Sequence, residues 1–293
     1  MTMLHPSVRP RSALRFAVRL AWAGLAAAAA ASCGSGDPPP ATDRGVESTA
    51  ATAGSPTRED SPDDFRIDAA RRLMQSGRFD LAEAALRTVL AEEPRSDRAK
   101  FFLAVSIAKQ KRYGEARGLY EEVRASGRRF AEERHLDHFL GWTLYYLGEP
   151  ETARARFTAH AEAVPEEGDS AFALGLIALD ADDRPEAERW FMEAIRRQQN
   201  EPALAREVAK AHARLGDLRW REERLDESIE SWRTCVALWP DHHEAWSKLA
   251  RGYARLGRDA DAAMATRQWE AALARVGRGA PDFPVDGGEG DRP

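Results

Sequence analysis

Residues 243–276 read HEAWSKLARGYARLGRDADAAMATRQWEAALARV. Trp246, Leu249, Ala250 and Tyr253 fall at i, i+3, i+4 and i+7, the spacing that gathers apolar side chains on one face of an α-helix. LGRDAD at 256–261 interrupts the pattern, and Gly257 suits the left-handed conformation that ends a helix. A second stripe begins at Ala262 and continues through Thr266 and Trp269. The stretch predicts two helices joined by a tight turn. Such a pair cannot bury its apolar face alone and needs neighbours of the same kind.

The neighbours are present upstream. Ala82, Ala116, Ala153, Ala187 and Ser228 occupy the place of Ala262, and four residues after each stands a larger side chain: Leu86, Tyr120, Phe157, Phe191 and Trp232. Twelve residues before each lies another small residue: Ala70, Ala104, Gly141, Gly175, Gly216 and Ala250. A small residue facing a large one lets two helices seat closely. Between the stripes lie short turns such as SGRFD at 76–80, KRYGE at 111–115 and LGEPE at 147–151, where Gly77 and Gly148 match Gly257. Pro150 and Pro185 suit the first turn of a helix, where a missing N–H costs little. Asn200 and Pro202 predict a helix cap and first turn, so that 202–208 lengthens the following helix.

This 34-residue helix–turn–helix unit resembles the tetratricopeptide repeat. Counting by phase gives units 63–96, 97–130, 134–167, 168–201, 209–242 and 243–276, a repeat domain over 63–276. The resemblance implies an all-α, right-handed solenoid with a concave surface made by the first helix of each unit, where relatives bind peptides. On this chain that face carries His138, Trp142, Tyr145 and Tyr146 from the third unit and Phe172 from the fourth. Trp220 and Arg221 come from the fifth unit and Arg251 from the sixth. Trp142, Tyr145 and Phe172 have a second reading, as packing between adjacent units. Relatives that grip a terminal carboxylate use lysines and asparagines; Asn200 is the one asparagine here and falls off the groove.

The N-terminus differs in kind. Residues 1–32 hold Arg9, Arg11, Arg15 and Arg19 and no acid, and Leu20–Ser32 is an uncharged run of 13 residues. That is short of the roughly 20 needed to span a bilayer. A basic start, a short apolar core and small residues at its end have the order of a secretory signal. Ala30-Ala31-Ser32-Cys33 resembles the lipobox of bacterial lipoproteins, although Ala30 stands where leucine is usual. The resemblance implies cleavage before Cys33, lipid attachment to its thiol, and, because Gly34 is not aspartate, an outer-membrane address facing the periplasm. Residues 33–62 are expected to be a disordered tether, being rich in Gly, Pro, Ser and Thr with Val46 the lone branched aliphatic. Residues 277–293 are expected to be a disordered tail.

The remaining composition narrows the function. Beyond residue 32, 39 basic side chains face 48 acidic ones, a balance that argues against nucleic acid as partner. No phosphate loop, dinucleotide fingerprint, zinc-protease or serine-nucleophile motif occurs, so no catalytic residue and no cofactor is expected. His135 and His138 sit at i, i+3 and could share a metal, but no third ligand is evident, so no metal is expected either. Cys235 reads as a buried thiol, and Trp190, Trp232 and Trp269 read as core. The expectation is a non-enzymatic scaffold anchored in the cell envelope through Cys33, taking a protein or peptide in its groove. A homo-oligomeric envelope protein, or an unanchored secreted one, are the alternatives.

Overall fold

The computed structural model describes residues 65–279, with side chains to 276. The signal, Cys33, the tether and residues 280–293 lie outside the described residues. Twelve α-helices and no strand occur among the described residues. In chain order they are α1 (Phe65–Gln75), α2 (Phe79–Glu92), α3 (Asp97–Lys109), α4 (Tyr113–Ser126), α5 (Leu136–Tyr146) and α6 (Pro150–Ala163). Then come α7 (Asp169–Asp180), α8 (Arg184–Gln198), α9 (Ala205–Arg221), α10 (Leu225–Leu238), α11 (His243–Arg255) and α12 (Asp259–Gly279). Two 3-10 turns, Glu133–His135 and Pro202–Leu204, lead into α5 and α9. None of these helices is long and apolar enough to cross a membrane.

The six helix pairs are closed by one turn geometry. Gly77, Gly148 and Gly257 take φ of +77, +80 and +68°. The equivalent positions in the other pairs are Lys111, Asp182 and Glu223, at +66, +56 and +62°. In this turn the residue after the left-handed one donates its N–H to a carbonyl five residues back, as in Arg78 to Leu73 at 2.9 Å and Arg224 to Arg219 at 2.9 Å. Pro150 and Pro185 stand in the first turns of α6 and α8. Asn200 does not cap α9: a 3-10 turn takes up 202–204, and the α-helix starts at Ala205. The last helix runs on to Gly279, three residues into the expected tail.

The chain divides into two bodies, one ending at Asp180 and the other beginning at Ala181. In the first, each of α1 to α7 packs on its predecessor, and α1, α3 and α5 also meet one another in sequence. Phe101 is the hub, with the rings of Phe102, Tyr120, Phe130 and Phe139 centred 5.2–6.0 Å away. The small–large seating is tight: a Cβ on Gly141 would stand 2.8 Å from the Phe157 ring. A charged network joins the first two helix pairs to the link before α5. Buried Arg98 makes two bonds of 2.9 Å to buried Glu132 and a third to Asp68, and Arg71 reaches Glu132 at 3.2 Å.

The second body, α8 to α12, is built on Trp232, which packs with Ile229, Leu249 and Tyr253 and contacts the α9 backbone at Gly216. Ser228 is buried and donates to the Gly216 carbonyl at 2.8 Å. Cys235 is buried as expected, and burial pushes its thiol up to about 12. Trp190 and Trp269 are only half-buried, which corrects the expectation of core positions. Phe191, one residue on, fills the packing position, while Trp190 lies along the helix surface under Arg189 and donates to Glu186 at 2.8 Å.

Candidate functional site

The aromatic cluster of the third repeat is mostly packing. His138, Trp142, Tyr145 and Phe172 are between 3 and 8% exposed. α5 has helices against several sides, so the face expected to meet a partner is covered by the chain itself. Tyr145 hydroxyl donates to the Asp180 carboxylate. Tyr146 remains half-exposed, stacked between Trp142 at 5.9 Å and Tyr113 at 4.9 Å. Lys109, half-buried and close enough for its charge to weigh on His138, has its ammonium pushed down to about 8 by burial.

The second body presents its predicted residues openly. Trp220 is half-buried, with the Arg255 guanidinium 5.0 Å from its ring centre. Arg221 and Arg251 are exposed on α9 and α11 and have no carboxylate partner among the described residues. Arg206 and Arg267 share that condition, whereas Arg219, Arg224, Arg255 and Arg258 are held by acids. A cavity of about 450 Å³ lies between α10, α11 and α12, lined by Arg233, Trp246, Leu249, Tyr253 and Met264 among others. It was not foreseen, because the sequence reading placed binding on first helices only.

A polar cluster in the first body was half foreseen. His135 and His138 do not share a face as i, i+3 neighbours, because His135 belongs to the 3-10 turn that precedes α5. Instead, His135 Nδ1 lies 3.4 Å from Glu167 Oε2, and His160 Nε2 lies 3.8 Å from the same oxygen. His160 Nδ1 is 2.9 Å from Ser170 Oγ, which is also 2.9 Å from His138 Nδ1. His160 and His138 are buried, and the Nε2 of each has no hydrogen-bond partner among the described residues. Burial pushes the His160 imidazole down to about 4 and that of His138 well below its usual range. Burial also acts to raise Glu167. The hydrogen bond from His135 and the nearby positive groups outweigh it and bring the carboxyl below its ordinary value.

No curated protein matches the chain. Among solved structures it is similar to the APC/C hetero-tetramer Cut9-Hcn1, at 16% identity and a TM-score of 0.59. That match covers 71% of this chain but only 39% of the other. It is similar to pilF of Pseudomonas aeruginosa at 21% identity and a TM-score of 0.58, over 74% of this chain and 92% of that one. With BtubC from P. vanneervenii the figures are 15%, 0.54, 78% and 98%. At these identities the likeness is one of fold. The family model for the tetratricopeptide repeat matches residues 67–129, 140–202 and 213–272, most of the described helices. The chain belongs to the tetratricopeptide repeat family.

Proposed function

We propose that the mature chain is a non-enzymatic adaptor, anchored by lipid on Cys33 in the outer membrane and facing the periplasm. It binds an extended protein segment that carries acidic side chains beside an apolar anchor. The observation that carries the binding reading is the pair Arg221 and Arg251, exposed and without a carboxylate partner among the described residues, in the same body as the half-buried Trp220. Arginine forks and a large flat ring are the side chains that most often dominate protein interfaces. The anchoring reading rests on the order of Arg9–Arg19, the short apolar run and Ala30-Ala31-Ser32-Cys33. The 29 residues from Gly34 to Pro62 would let the repeats stand roughly 30 Å from the bilayer as a flexible chain, and about 95 Å at full stretch.

Two measurements test the parts separately. The mass of the N-terminal peptide from protein made in a bacterial host should show an acylated Cys33; an unmodified N-terminus elsewhere removes the anchor and leaves the adaptor. Peptides selected from a random library on the full mature chain should be acidic with an aromatic or aliphatic anchor, and should bind more weakly as salt rises. Arg221→Glu with Arg251→Glu should lower their affinity at least about tenfold, each reversal turning an exposed attraction of about 0.5 kcal/mol into a repulsion of similar size. Unchanged affinity sinks the assignment of that face.

A further inference from the structure

The cluster of His135, His160 and Glu167 belongs to neither surface considered for a partner. We propose that Nδ1 of His135, Nε2 of His160 and a carboxylate oxygen of Glu167 bind one divalent transition-metal ion of the zinc type, which staples the link before α5 to the link after α6. Two imidazoles and a carboxylate are a ligand set that zinc takes readily, leaving a further position for water. In a tetrahedral site with bonds of about 2.0–2.1 Å, ligand atoms stand about 3.3 Å apart. Here the two separations to Glu167 are 3.4 and 3.8 Å, and all three donor atoms lie within 4.8 Å of one another. Closing the set shortens none of these separations by more than about 1.5 Å.

A plain ion-pair network leaves His160 Nε2 unexplained. His160 is 1% exposed, and its Nε2 faces Glu167 from 3.8 Å, too far for a hydrogen bond and without another partner among the described residues. A metal uses that lone pair. The outer contacts are also in place. Ser170 Oγ lies 2.9 Å from both His160 Nδ1 and His138 Nδ1; with metal on Nε2, His160 carries its proton on Nδ1 and donates it to this hydroxyl, which turns its own proton toward His138. Arg134 opposes the ion. Its Nε donates to His135 Nε2 at 3.2 Å, and a second guanidinium nitrogen meets Glu167 at 3.2 Å. Metal on Nδ1 moves the His135 proton to Nε2, where an arginine N–H cannot donate. Arg134 must therefore swing out, which its 45% side-chain exposure and the neighbouring Glu166 permit.

The test uses the untagged full chain, stripped with chelator and titrated with Co²⁺ and then Zn²⁺. The expected result is one Co²⁺ per chain with the visible bands of a tetrahedral nitrogen–oxygen site, displaced by Zn²⁺. His135→Gln and Glu167→Gln should each weaken binding at least about tenfold while leaving the helical circular dichroism unchanged. Arg134→Ala should tighten it, since a competing cation is removed. Absence of saturable uptake overturns the proposal. So does uptake that His135→Gln and Glu167→Gln leave unchanged, or weakening by Arg134→Ala.

Discussion

Two glycines in the second body should respond unequally to the same substitution. Gly216 lies in α9 and Gly252 in α11, both in helix interiors, where Gly→Ala ordinarily gains about 1 kcal/mol of helix propensity. A Cβ on Gly216 would stand 2.4 Å from both Cδ1 and Nε1 of Trp232. Ordinary contact needs about 1 Å more, and the ring cannot supply it. Trp232 is 2% exposed, and its Nε1 donates to Asp217 at 3.2 Å. Overpacking of this kind costs about 3 kcal/mol, the upper end of the usual range, so Gly216→Ala should lose about 2 kcal/mol net. A Cβ on Gly252 would meet Ile229 Cγ1 at 3.0 Å and Trp232 Cζ3 at 3.6 Å, which a few tenths of an ångström at a flexible side chain relieves. Gly252→Ala should be neutral or more stable by about 0.5 kcal/mol. Urea titrations of the full mature chain, followed by tryptophan fluorescence, measure both. Gly216→Ala combined with Trp232→Leu should recover part of the loss, showing as coupling in a double-mutant cycle. Equal stability of the two alanine variants would refute the claim that a small residue facing a large one sets the spacing of these helices.

Three further outcomes follow from the same geometry. Glu132→Ala leaves Arg98, 3% exposed, without its two-bonded partner; breaking such a buried pair costs about 3–5 kcal/mol and should lower the Tm by roughly 10 °C or more in a thermal melt. Burial holds the imidazoles of His212 and His242 down to about 4, below the ordinary 6.5. The stability this neutral form carries is complete above pH 6.5 and is lost as pH falls toward 4, up to about 3 kcal/mol for each group. His242 Nδ1 accepts the Ala245 N–H at 3.3 Å as a helix cap, so His242→Asn should keep the cap and flatten that fall in urea midpoints measured across pH. Lys111 holds φ of +66° without glycine's freedom, and Lys111→Gly should raise stability by about 0.5–1 kcal/mol in the same titration; a loss would show that the turn is not strained.

The repeat could be read from the sequence because its signals are local. Ala116 and Tyr120, or Gly216 and Trp232, sit at fixed offsets on a helix, and periodicity along the chain reports them directly. Half of the turns announced themselves through glycine; Lys111, Asp182 and Glu223 adopt the same φ, which no residue preference reveals. Phe191 fills the packing position its offset from Ala187 assigns, but Trp190 beside it is half-buried, because how far the buried stripe widens depends on the neighbouring helix. The burial of Trp142 and Phe172 likewise depends on how many neighbours α5 and α7 have. The histidine cluster was only half legible, through His135, for a different reason. Its members are 25 and 32 residues from His135, and Glu167 lies in an inter-repeat link whose path only the fold specifies.

The Glu132 carboxylate touches side chains from the first repeat, Arg71, and the second, Arg98, while standing at the threshold of the third. An array coupled only between nearest neighbours can fray from its free end one repeat at a time. A charge shared by the first two repeats penalises the loss of either, since each departure strands part of the network. The first two repeats should therefore exchange their amide hydrogens as a single block. In that respect three residues inserted between repeats make two modules behave as one cooperative object.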